Sequence, residues 1–67
     1  MYKVWTDSES KVEIKEKTFN NLDDAFDYLV NSVHQYDDKE LAIAHIDDVE
    51  TGEIIETAES FFEYVKY

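Results

Sequence analysis

The chain has no cysteine, no proline, no arginine and one glycine, Gly52. Without cysteine there are no disulfides and no thiolate zinc sites, as is usual for a protein kept in a reducing compartment. Without proline and with a single glycine, no stretch reads as a linker, an internal repeat or a low-complexity run. Long hydrophobic runs are missing too. The longest apolar stretch, LAIAHI at 41–46, falls far short of the ~20 residues of a membrane helix. The first residues, MYKVWTDSES, turn polar almost at once and contain no apolar signal core. These absences predict a cytoplasmic protein with no membrane partner.

With 67 residues, the chain is expected to form one domain, 1–67. A domain of this size buries only about 60% of the surface its unfolded chain exposes, so stability is marginal. Small folds commonly add a disulfide, a metal or a second subunit. The 43% hydrophobic and 15% aromatic content is too apolar for a disordered acidic tail. A folded domain is expected, with Trp5 and the Phe and Tyr residues carrying its core.

What the sequence has in excess is negative charge. Six lysines face seventeen Asp and Glu, for a formal net charge of −11. In residues 1–19, Lys3, Lys11, Lys15 and Lys17 balance Asp7, Glu9, Glu13 and Glu16. Residues 20–67 set only Lys39 and Lys66 against thirteen acids and hold the whole excess. Self-repulsion of this size opposes compact folding where stability is already small. Solubility needs less charge, so the acids point to a further role.

Residues 2–6, YKVWT, read as a strand, and 7–10 as a polar turn. Over 11–17, Val12 and Ile14 alternate with Lys11, Glu13, Lys15 and Lys17, which predicts a second, half-buried strand in a hairpin. Its charges are expected to form cross-strand ion pairs. The period then changes. Leu22, Ala25, Phe26, Leu29, Val33 and Tyr36 make one stripe of a helix over about 22–36. Asn21 is its N-cap, with Asp24 three residues later and Asp23, Asp24 and Asp27 favoured by the helix dipole.

Strands over 40–48 and 53–59 flank the turn VETG. A three-residue loop with Gly52 left-handed predicts pairing of Val49 with Glu53, Asp48 with Ile54 and Asp47 with Ile55. In the tail, Ser60 and Glu63 have capping-box spacing, favouring a short helix over an edge strand. The fold class is α+β: a small antiparallel sheet in ββαββ order, one amphipathic helix on one face, and a C-terminal aromatic segment.

Chemistry narrows next. Acid-rich stretches such as DDVE suggest a hard cation, but no window has the EF-hand spacing, and adjacent strand residues Asp47 and Asp48 face opposite ways. No metal and no cofactor are expected. Catalysis by paired carboxylates needs a pocket that shifts a pKa, which a chain this short has little room to enclose. His34 reads as a surface residue and His45 as a half-buried strand residue. No catalytic residue is assigned, and no enzyme is expected. Direct nucleic-acid binding is opposed by the charge.

The remaining class is binding to a basic DNA-binding protein. Same-face strand carboxylates recur every ~6.8 Å and helix positions four apart every ~6 Å, the order of phosphate spacing along DNA. The candidate partner-binding residues are Asp23, Asp24, Asp27, Asp37, Asp38, Asp47, Asp48, Glu50, Glu53, Glu56, Glu59 and Glu63. In charge placement over residues 20–67, small size, lack of cysteine and aromatic content, the chain resembles the small acidic DNA-mimic proteins of phages and mobile elements. The resemblance is compositional and carries no motif. It implies a non-enzymatic inhibitor of host takeover, acting in the host cytoplasm if phage-encoded. HU-like nucleoid proteins are the expected target, because they bind DNA with little sequence selectivity. Phe61, Phe62, Tyr64 and Tyr67 either cover the sheet within the chain or form a homodimer contact. The alternative function is a small interaction module that uses its aromatic surface, with acidity serving solubility.

Overall fold

The computed structural model describes residues 1–36 and 40–60. Its elements are β1 (Tyr2–Thr6), β2 (Lys17–Phe19), α1 (Leu22–His34), β3 (Ile43–Asp48) and β4 (Glu53–Glu59). They form one antiparallel sheet in the order β2-β1-β3-β4 with the helix across one face. This is the expected α+β arrangement in ββαββ order. The central strands are β1 and β3, so each hairpin contributes one inner and one outer strand.

Alternation along the strands sets the two faces. Tyr2 and Val4 of β1, Phe19 of β2, and Ala44 and Ile46 of β3 point toward the helix. The fully buried centre is Val4, Ile14, Ala25, Leu29, Val33, Ala42, Ala44 and Ile46. Among the described residues this centre is aliphatic, where an aromatic core was expected. Three of its members are alanines, whose small side chains allow helix and sheet to approach closely. Tyr2, Phe19, Tyr28 and Tyr36 pack around its margin. Trp5 is half-buried on the opposite face, and Phe26 is exposed.

The second strand is shorter than its sequence pattern suggested. The alternation of 11–17 survives, with Val12 and Ile14 turned inward, but only Lys17–Phe19 joins the ladder. Thr6 explains the difference. Its hydroxyl accepts from the Ile14 N–H and donates to the Ile14 C=O, both at 2.9 Å. A side chain has taken the place of a backbone partner, and Ile14 is buried without a strand around it.

Helix α1 begins as its sequence demands. The Asn21 side chain accepts from the Asp24 N–H at 2.8 Å, with Asp23 and Asp24 in the first turn. Ala25, Leu29 and Val33 are buried. Tyr28 turns to the β2 side, where its ring meets Phe19 with centroids 5.4 Å apart and its hydroxyl donates to the Lys15 carbonyl at 2.6 Å.

The β3–β4 hairpin differs from expectation in register. Asp48 pairs with Glu53 and Asp47 with Ile54, so the loop is Val49–Gly52, one residue longer than expected. Gly52 has φ +78° and donates to the Asp48 carbonyl at 2.7 Å. A bulge between Ile46 and Asp47 on one strand, opposite Ile54–Glu56 on the other, absorbs the extra residue, and beyond it Ile46 pairs with Glu56. Ile54 and Ile55 therefore both lie on the face away from the helix and are 53% and 37% exposed.

Ser60, which the sequence spacing reads as a cap, forms a clasp between the end of β4 and the segment before β3. Ser60 is buried; its hydroxyl accepts from the Ala42 N–H at 2.9 Å and donates to the Glu40 carbonyl at 3.0 Å. The predicted helix beyond it lies outside the described residues.

Candidate functional site

Chain direction brings acids together. β1 starts, β2 and β3 end and β4 starts at the same end of the sheet. Helix α1 begins three residues after Phe19, so its N-terminus sits at that end too. Asp23 and Asp24 of the helix therefore share one end of the molecule with Asp47, Asp48, Glu50 and Glu53 of the hairpin. Asp27 lies one helical turn further along. Glu56 is mid-strand, and Glu59 is at the other end, paired with Ile43. Asp37, Asp38 and Glu63 lie outside the described residues, as do Phe61, Phe62, Tyr64 and Tyr67.

The hairpin tip is held in one shape by its own polar groups. Asp48 Oδ1 accepts from the Glu50 N–H at 3.0 Å, and Thr51 Oγ1 accepts from the Glu53 N–H at 3.3 Å. Asp48 and Glu53 are direct cross-strand partners, and facing like charges in this way is unfavourable. Both Glu53 and Glu56 leave β4 on the helix side, because they pair with Asp48 and core-facing Ile46. Asp47 faces away from the helix, opposite Lys3. One of its carboxylate oxygens is buried with no hydrogen-bond partner among the described residues, as is the indole N–H of Trp5 on the same face.

The expected cross-strand ion pairs of the N-terminal lysines do not form. Among the described residues, the one ion pair is His45 with Asp7. Shortening of β2 leaves Lys11 and Lys15 on an irregular segment with no strand partner to oppose them. Lys17 instead lies over the Tyr28 ring, 5.0 Å from its centroid.

His45 is more deeply placed than the sequence suggested, and its network was not foreseen. Its Nε2 lies 2.7 Å from Asp7 Oδ1 and its Nδ1 lies 2.8 Å from Thr57 Oγ1. An ionised Asp7 accepts only, so Nε2 carries the proton; in the neutral ring Nδ1 then accepts from the Thr57 hydroxyl. Trp5 flanks the ring with centroids 4.7 Å apart. The hydrogen bond from His45, aided by the Glu9 N–H, holds the Asp7 carboxyl below its ordinary pKa. Acid, imidazole and hydroxyl stand in the order a general base requires. The contacts tie the segment after β1 to β3 and β4. The depression nearby, about 390 Å³ and open, is lined by Thr6, Asp7, Ser10, Lys11, Val12 and Glu13. Neither His45 nor Thr57 forms its wall.

His34 is exposed, as expected. Among the described residues, no three His, Asp or Glu side chains converge on a metal position, and no helix is long and apolar enough to cross a membrane. No protein-family model, no curated protein and no solved structure matches the chain.

Proposed function

We propose that the protein is a non-enzymatic inhibitor that occupies the DNA-binding surface of a basic protein by presenting DNA-like negative charge. An HU-like nucleoid protein is the target favoured by the generic character of the array. The observation that carries this reading is the gathering of Asp23, Asp24, Asp48, Glu50 and Glu53 at one end of a hydrogen-bonded scaffold. None of them is in an ion pair with a lysine among the described residues. Unneutralised carboxylates on fixed elements favour fast, salt-sensitive association with a basic groove. The cost to folding of opposing Asp48 and Glu53 fits a charge retained for binding.

The experiment is capture of partners from a cell lysate at low and high salt, with and without competing duplex DNA, followed by mass spectrometry. The reading expects a basic DNA-binding protein that is lost at high salt and displaced by DNA. Partners held equally at both salt concentrations and indifferent to DNA would reject it and favour the aromatic interaction module.

A further inference from the structure

The helix stripe read from the sequence as buried is only partly so. Leu22 and Phe26 remain 39% and 44% exposed, although they lie one turn apart within one apolar row. The helical repeat explains which way this row points. Ala25, Leu29 and Val33 face the sheet, and Tyr28 marks the flank toward β2 through its contact with Phe19. Phe26 is turned to the opposite flank, toward β4, whereas Leu22 lies in line with Leu29 and Val33 and is exposed because it opens the helix, beyond the reach of the core. Next to them on the outer helix surface come Asp23 and Asp27. On the other side stand Glu53 and Glu56, exposed and directed to the helix side of β4. An exposed apolar strip is thus bordered by carboxylates on both flanks.

We infer that this strip is a docking surface for a basic amphipathic segment, whose apolar residues cover Leu22 and Phe26 while its lysines or arginines meet the carboxylates on either side. Charge complementarity selects this occupant. A second copy of the chain would bring the same carboxylates against themselves at a two-fold contact, which is repulsive. A pure polycation would leave the apolar side chains uncovered. Apolar centre with charged rim is also the usual layout of a protein interface. The inference rests on the basic-target reading and extends it. It states that the target is held by an apolar anchor as well as by charge.

The test uses two synthetic peptides of identical lysine, leucine and alanine composition. In one the leucines form a single helical row flanked by lysines; in the other the order is scrambled. Binding is followed by fluorescence anisotropy and by amide shifts in the nuclear magnetic resonance spectrum. The amphipathic peptide is expected to bind about tenfold more tightly, with shifts centred on Leu22–Asp27 and Glu53–Glu56. Phe26→Ser and, separately, Leu22→Ser are expected to remove that preference while leaving the weaker charge-driven binding. Glu53→Gln with Glu56→Gln is expected to weaken both peptides. Circular dichroism verifies that each variant is folded. Equal binding of the two peptides overturns the inference. So does a preference that survives in both folded serine variants, or self-association that the amphipathic peptide competes away. Displacement of DNA from a basic protein is measured separately, so loss of the apolar preference with displacement intact removes the strip and leaves the charge-array reading standing.

Discussion

Replacing Glu53 with Gln should make this protein more stable, although it alters an exposed residue outside the core. Glu53 stands directly opposite Asp48 in the β3–β4 ladder. Side chains so paired have Cβ atoms ~5 Å apart, which places the carboxylates about 6 Å apart. In bulk dielectric, that repulsion is about 0.7 kcal/mol, and screening at a Debye length of ~10 Å reduces it to about 0.4 kcal/mol. Gln keeps the backbone N–H that bonds to Thr51, so the turn geometry is retained. For a domain of this length the gain is a rise in Tm of about 2–3 °C. The assay is thermal unfolding followed by circular dichroism at low salt and at high salt. Glu13→Gln provides the control, because it removes one charge from the part of the chain where lysines and acids balance. The reasoning predicts a higher Tm for Glu53→Gln at low salt, a gap that closes at high salt, and little change for Glu13→Gln. A Glu53→Gln protein that melts no higher than the parent would refute the cross-strand repulsion. Equal gains in both variants would assign the effect to total charge instead.

Three further predictions concern the scaffold. Leu29→Ala, at a buried position in the centre of the aliphatic core, should cost about 2–5 kcal/mol. That is comparable to the ~5 kcal/mol available to a small domain, so urea titration should find the variant largely unfolded near body temperature, whereas exposed Phe26→Ala should retain its fold. Gly52→Ala meets no atom within 4 Å, so its cost should be the backbone strain of the left-handed conformation alone, about 1–2 kcal/mol, and Gly52→Asn should lose less in the same melts. Asp7→Asn should destabilise the protein near neutral pH. Because the folded Asp7 pKa is depressed by His45 and the Glu9 N–H, its contribution is present above the unfolded value of ~3.9 and is lost as pH falls through the folded value. Urea midpoints of parent and variant should therefore converge in acid, and a gap that stays constant with pH would contradict the network.

Element type and order were legible because they depend on local periodicity. Alternation marked the strands, and the step of three and four marked the helix with its Asn21 cap. Register was legible only beyond the bulge. The expected pairing sum matches Ile46 with Glu56 and fails at Asp47 and Asp48, where the longer loop displaces it. Pattern alone also does not tell which apolar residues a small fold can cover. Leu22 and Phe26 belong to the stripe, yet the closely packed alanines bury only its centre. The networks of Thr6 with Ile14, His45 with Asp7 and Thr57, and Ser60 with Ala42 join residues between 8 and 38 positions apart. No local signal announces such contacts. An isolated His inside an apolar strand was the nearest hint, since a buried imidazole requires partners for both nitrogens. The acidic residues were legible as a set, whereas their gathering at one end of the sheet follows from strand direction.

The most direct measurement of the central claim is displacement of fluorescent duplex DNA from a purified HU-type protein. The parent protein is titrated alongside a variant carrying Asp47→Asn, Asp48→Asn, Glu50→Gln and Glu53→Gln. The account predicts that the parent displaces DNA at low salt and loses potency as salt rises. It predicts that the variant, folded and no less stable, displaces DNA poorly. Failure of the parent to displace DNA at low salt would contradict the assignment of the target class. Equal displacement by parent and variant would contradict the role of the hairpin carboxylates.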